Sequence, residues 1–240
     1  MAKSLERSFL VVPWAIFLVL VLALAAQIWI RAANPLPIPK AAELPRLPGS
    51  GLFVLASLGD PIPLAKLLML YLQAFDYQSG DRTPFQALDY EKLQSWLAEI
   101  LRLDPTGQYP LMAASRLYAD VPNETKKRQM LEFVYQEFFK DPGRRWQWLA
   151  HAAAVAKHGL LDLPLARKYA AAIQQHAVGE DVPLWAKQME IFILEDMNEL
   201  ETARIMIGGY IEKGLIKHPG ELRTLELRLK EIETRINKAK

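Results

Sequence analysis

LQSWLAEILRLDP, residues 93–105, lies without a gap over MLEFVYQEFFKDP, residues 130–142. Apolar meets apolar at Leu93/Met130, Trp96/Phe133, Leu97/Val134 and Leu101/Phe138, and both stretches end in Asp-Pro. The spacing within each stretch is that of one helical face, and Asp-Pro closes a helix because the residue before proline avoids the α region. The same offset of 37 places Trp148 on Trp185, Leu163 on Leu200 and Ala166-Arg167 on Ala203-Arg204. Across the middle it weakens, since Lys126 and Gln129 stand where Leu163 and Ala166 would be.

Outward from this pair the chain reads as helix after helix, at about 61–77, 89–103, 109–120, 123–140, 144–159, 162–177, 183–197, 199–213 and 219–238, with no strand pattern. Asp60-Pro61, Asp104-Pro105, Asp141-Pro142 and Val182-Pro183 break the runs, and Asn123 and Asp162 stand where side-chain caps belong. A period in the thirties with two helices per period predicts an α-solenoid, in which each pair buries its apolar face against its neighbours. Ala166 and Ala170, four apart on one face, let a second helix approach the first. The competing reading is an alanine-rich face on an ordinary bundle. Gly208-Gly209 inside an apolar helix, each about 1 kcal/mol worse than alanine, implies a close helix contact or a partner backbone crossing there.

On these residues the chain resembles the tetratricopeptide-repeat-like (TPR-like) superfamily: LRLDP (101–105) before a new helix, the Ala166/Ala170 pair in a second helix, and Ala203 in the same place. It departs from that family in a period of 37 rather than 34, in lacking the full Trp/Leu-Gly/Tyr set, and in Ile207 for the second alanine of the last pair. The likeness covers about 61–217 and implies a right-handed superhelix whose inner surface, lined by first helices, binds peptides or protein segments. The terminal helix ELRTLELRLKEIETRINKAK carries Leu222, Leu225, Leu229, Ile232 and Ile236 as a narrow apolar stripe, with Glu226/Lys230 and Glu231/Arg235 in the favourable i,i+4 order. That suits a helix capping a solenoid end. The same spacing suits a homodimeric coiled coil, though fewer than three heptads fit.

Phe9 to Ile30 runs twenty-two residues without a charge, roughly 33 Å of helix and enough to span a bilayer core. Trp14 and Trp29 lie near its ends, where indoles favour the interface. A cleaved signal peptide is the alternative, with Ala23-Leu24-Ala25 as the cleavage site; the apolar run through Ile30 exceeds what a signal core needs and favours an anchor. Basic residues flank both sides, and a short basic tail before a first span points to a cytoplasmic N-terminus with the bulk of the chain in the periplasm, the cytoplasmic orientation being the alternative. Residues 34–49 hold five prolines in sixteen positions, a semi-rigid extended spacer of about 3.1 Å per residue that is expected to hold the folded part roughly 40–50 Å off the lipid. The expected organisation is thus a tail over 1–8, an anchor over 9–30, a linker over 31–50, an all-α TPR-like repeat region over 51–217 and a capping helix over 218–240.

Net charge is +2, of which residues 1–50, with five basic and two acidic side chains, hold +3, leaving the remainder at −1. Such a domain lacks the field that holds a phosphate backbone, so no nucleic acid is expected, the short basic clusters TKKRQ and GRRWQW notwithstanding. Without cysteine there is no disulfide or thiol chemistry. His151 and His158 stand two turns apart, about 10 Å, too far to share one ion. No catalytic, metal or cofactor residue is expected: nucleophile-elbow, Walker and dinucleotide fingerprints are missing from the sequence, and SGDRT (79–83) reads as a plain loop. Arg144, Gln147, His151 and His158 share a helix face, and Gln188 and Glu195 are the counterparts of the two histidines at the 37-residue offset. These six form the expected partner-binding groove. The function expected is a membrane-anchored scaffold, assembly factor or accessory subunit that binds a membrane-associated protein; the alternative is a small-ligand protein or enzyme with a helical pocket for lipid or glycan fragments.

Overall fold

Every regular element among the residues that the computed structural model describes, 13–33, 43–76, 84–179, 181–216 and 218–239, is helical. The chain divides into two units, Met1–Ala41 and Ala42–Lys240. The first contains α1, Trp14–Ala33, twenty residues of mean hydropathy 2.2 with none buried. At 1.5 Å per residue it measures about 30 Å and is long and apolar enough to cross a membrane. It runs past Ile30 through Arg31 to Ala33, and residues 9–12 of the expected anchor lie outside the described residues.

The second unit begins with a coil, Glu43–Gly49, that is part of the fold: Leu44 is buried, Leu47 packs on the core, and the Trp96 indole N–H donates to the Pro45 carbonyl at 2.9 Å. The stretch expected as a spacer over 31–50 is therefore anchored from Glu43 onward. Then come α2 (Ser50–Ala56), α3 (Pro61–Gln73), α4 (Pro84–Ala87), α5 (Tyr90–Leu103), α6 (Tyr109–Met112) with a π-helical continuation (Ala113–Tyr118), α7 (Glu124–Phe138) and α8 (Pro142–Gly159). They are followed by α9 (Leu163–His176), α10 (Leu184–Lys187), α11 (Met189–Asp196), α12 (Leu200–Glu212) and α13 (Pro219–Ala239). The SGDRT loop lies outside the described residues.

Caps set the ends. Asp60, Asp89, Asn123 and Asp162 each accept a backbone N–H of the helix they precede, filling donors that would otherwise lack partners. Proline inside the first turn of α3, α8 and α9 adds a preset φ without a lost hydrogen bond.

The main contacts run between elements adjacent or next but one along the chain. Taken alternately along the chain, the helices make a first row, α3, α6 with its π segment, α8, α10–α11 and α13, and a second row, α5, α7, α9 and α12. Helices α8 and α9 are the most closely apposed, and Ala152, Ala153 and Ala156 on one with Ala166 and Ala170 on the other are buried. Small side chains on both faces permit that approach.

The offset of 37 is visible in the burial pattern. Trp96, Phe133, Ala170 and Ile207 occupy α5, α7, α9 and α12, and none is more than 6% exposed. The eight residues aligned in the opening pair of stretches are all buried as well. The period is uneven, because second-row helices begin at Tyr90, Glu124, Leu163 and Leu200. Core side chains form one cluster from Leu44 to Ile193 and a smaller one joining α11, α12 and α13 through Ile191, Ile207 and Leu225. The α13 stripe is part of this second cluster, and Arg235 lies 3.7 Å from Glu195 rather than pairing along its own helix. At Gly208 and Gly209 an added Cβ would meet nothing within 4 Å, so no described residue makes the close helix contact expected there.

Candidate functional site

Three clefts open between successive first-row helices. The first, about 530 Å³, lies between α3 and α6 and is walled by Ala65, Met69, Leu70, Ile100 and Pro110, with Lys66 and Asp104 also lining it. The Gln73 amide donates to the Tyr109 hydroxyl within it.

The second, about 550 Å³, lies between the π segment and α8 and contains both His151 and His158. The structure thus brings the two histidines to one cavity, and it adds Arg116 from the π segment and Lys127 from α7 against a single carboxylate, Asp120. Burial first, and then the Arg116 charge, push the His151 imidazole below its ordinary value, which leaves it neutral at pH 7 as a donor–acceptor rather than a cation. The π geometry sets this wall: the Ala119 N–H reaches back five residues to the Ala114 carbonyl at 3.1 Å, widening the turn that presents Ser115 and Arg116.

The third, about 380 Å³, lies between α10–α11 and α13, with Trp185, Gln188, Phe192, His218 and Arg228 around it. Gln188 is buried, and its side-chain nitrogen has no hydrogen-bond partner. Glu195 is held by Arg228 at 2.5 and 3.2 Å, and the same guanidinium sits 4.3 Å above the Phe192 ring.

Arg144 and Gln147 stand apart from these groups. Arg144 pairs with Asp141 at 2.5 Å beside a smaller cavity at the start of α8. Gln147 is exposed and donates weakly, at 3.4 Å, to the Gln108 side-chain oxygen that also takes the Trp148 indole N–H at 2.6 Å. The six residues expected to form one groove therefore fall at three places along the first row.

One buried carboxyl escaped the sequence reading. Asp76, 2% exposed at the end of the turn after α3, accepts the Tyr118 hydroxyl at 2.9 Å on one oxygen, and its other oxygen is unpartnered. Burial pushes its pKa from 3.8 up to about 6, against the Tyr118 hydrogen bond, which lowers it. The Tyr118 and Tyr90 phenols are raised in turn, mainly by burial and then by the Asp76 charge. Between the unfolded and folded values the native state holds more protons, so this group contributes stability at low pH that is lost as pH rises through about 4 to 6. Between pH 7 and pH 5 the stability of the protein relative to Asp76→Asn should therefore rise by about 1–2 kcal/mol. Urea denaturation of both proteins across that range reads the difference; a flat difference would remove the raised carboxyl from the account.

Among the described residues no three His, Asp or Glu side chains gather as metal ligands. No family model matches the chain, and neither the curated proteins nor the solved structures give a significant match.

Proposed function

We propose that the protein is a membrane-anchored scaffold or accessory subunit whose two-row helical region is a TPR-like solenoid, and that its first-row clefts grip a segment of a partner protein. One observation carries this reading: a buried position recurs on four successive second-row helices at a period of 37, as a stack of similar hairpins requires. The main contacts, between elements near one another along the chain, support it, as does the row of clefts between successive first-row helices. The positive balance of Arg116 and Lys127 around the histidine cleft suits an acidic segment. In this reading α1 is the anchor, its N-terminus is cytoplasmic, and the repeat region faces the periplasm.

A photo-crosslinking side chain placed at Gln147 or His158, on the first row, should capture one stoichiometric protein after mild detergent extraction and mass spectrometry. The same probe at Gln136 or Gln175, exposed on second-row helices, should capture none. A chain that runs alone from every position would sink the scaffold reading.

A second reading rests on the α3–α6 cleft, whose size and apolar walls fall in the range of small-molecule sites. It makes the protein a binder of a lipid or glycan fragment.

A further inference from the structure

Helices α2 and α3 carry an apolar surface that the fold leaves bare. Leu52, Val54, Leu55, Leu58, Leu67 and Leu70 are between 57% and 93% exposed, and Ile62 and Tyr71 add to them. The largest apolar patch on an ordinary soluble monomer is about 300–600 Å² and is often functional; here eight large apolar side chains stand exposed on two consecutive helices and the turn between them. Leu58, at the tip between the helices, has a φ of 49°, in the left-handed region, and is 93% exposed. A leucine in that conformation gains nothing from the fold around it.

Of the thirteen residues of α3 only Lys66 and Gln73 are polar. A helix apolar all round belongs in a core or in lipid, yet α3 buries only one side, through Ala65, Met69 and Leu72. From Leu44 to Phe75 the only acidic residue is Asp60, whose carboxylate caps α3, and Arg46 and Lys66 are the basic ones.

The covering material follows from the chain. Ala33 is the last described residue of α1 and Glu43 the first of the coil before α2, so the ten peptide links between them span at most about 36 Å. Seven residues later α2 starts. The bare hairpin is thus tethered within reach of whatever bilayer α1 crosses, at an effective concentration no free partner matches. The two helices bend by 117° at their junction, and α3 packs on the core along one side, so they cannot cross together as one lipid-surrounded span.

We propose that the α2–α3 hairpin is a second membrane contact, lying in the headgroup and upper acyl layer of a phospholipid bilayer. This rests on the reading of α1 as a membrane anchor. The hairpin inserts its leucines along the membrane plane, as interfacial helices do, with Tyr71 and Lys66 at the level where an amphipathic ring and a snorkelling ammonium are stable.

The cysteine-free chain allows a direct test. Leu55→Cys, Leu58→Cys and Leu67→Cys, at exposed positions that leave the core intact, are labelled singly with a polarity-sensitive fluorophore. The full-length protein is then reconstituted into phosphatidylcholine–phosphatidylglycerol vesicles. Headgroup-attached nitroxide lipid should quench all three labels at least about twofold, while an Ala154→Cys label on exposed α8 stays unquenched. A Val21→Cys label in α1 should be quenched by nitroxide deep in the acyl chains. The double variant Leu55→Glu/Leu67→Glu should abolish quenching at Leu58→Cys with helix content unchanged. Hairpin labels that stay in water, or that are shielded without lipid quenching because a protein or a second copy covers them, overturn the proposal while a quenched Val21 label keeps the anchor. An unquenched Val21 label overturns the anchor reading, and the proposal with it.

Discussion

Arg145→Ala is expected to lower the unfolding free energy by about 3–5 kcal/mol, the range for removing one partner of a buried ion pair. Arg145 is 2% exposed at the fourth position of α8. Its guanidinium donates to the Glu137 carboxylate at 2.9 Å, to the Glu137 carbonyl at 2.7 Å and to the Pro105 carbonyl at 3.1 Å. Truncation strands a buried carboxylate, leaving it only Lys140 at 2.6 Å, and takes a donor from each of two carbonyls. Two acceptors lie on Glu137 in the last turn of α7 and the third on Pro105 after α5, so the side chain ties the start of α8 to both. In a folded unit of this size the midpoint of thermal unfolding should fall by roughly 10 °C. Arg144→Ala, at the neighbouring exposed pair with Asp141, should change stability by no more than about 0.5 kcal/mol. Replacing Arg145 by Met together with Glu137 by Leu should recover most of the loss, because apolar side chains of similar volume need no partner. Equal effects at Arg144 and Arg145 would show that the pair is not buried in solution.

GRRWQW alone does not say what either arginine binds. Both stand in the first turns of a helix, where the macrodipole disfavours a cation, and only the fold around Pro105, forty residues earlier, makes one of them structural. The same boundary separates what could be read elsewhere. Helix limits were legible to within a few residues because caps and prolines act locally: Asn123 and Asp162 accept N–H groups as their positions imply. Helix α2 was not legible, since SGLFVLA has no polar face to give it a period. The run at 183–197 breaks at Gln188 into α10 and α11, and the expected helix at 61–77 ends at Gln73 so that Asp76 can turn inward to Tyr118.

For the site, His151 and His158, spaced for one helix face, line one cleft. The charges that give the cleft its sign, Arg116 and Lys127, come from two other elements and cannot be found by spacing. Glu195 illustrates the converse. It is the counterpart of His158 at the 37-residue offset, yet Arg228, thirty-three residues further on, binds it and closes that end of the row. An offset in sequence aligns residue types; what a side chain does depends on partners from other elements, as Arg228 does for Glu195.

Trp96→Ala should be among the most damaging substitutions in the core, with a loss of about 3–5 kcal/mol, and its second effect is local. The indole is 3% exposed; it meets Phe53 of α2 edge-on at 6.0 Å and Tyr71 of α3 at 5.5 Å, and its N–H holds the Pro45 carbonyl. One side chain of α5 therefore fastens the coil 43–49, α2 and α3. Limited trypsin digestion reads this directly, because Arg46 lies exposed within that coil. Cleavage after Arg46 should accelerate in Trp96→Ala well beyond its increase in Phe133→Ala, the equivalent position on α7, although both variants lose comparable global stability. Trp96→Phe separates the two roles: it keeps most of the packing but drops the N–H, so it should cost only about 1 kcal/mol and still speed cleavage at Arg46. If Phe133→Ala exposes Arg46 as readily as Trp96→Ala, the coil is released by global unfolding and Trp96 is an ordinary core residue. If it does not, the coil is fastened to the fold through Trp96.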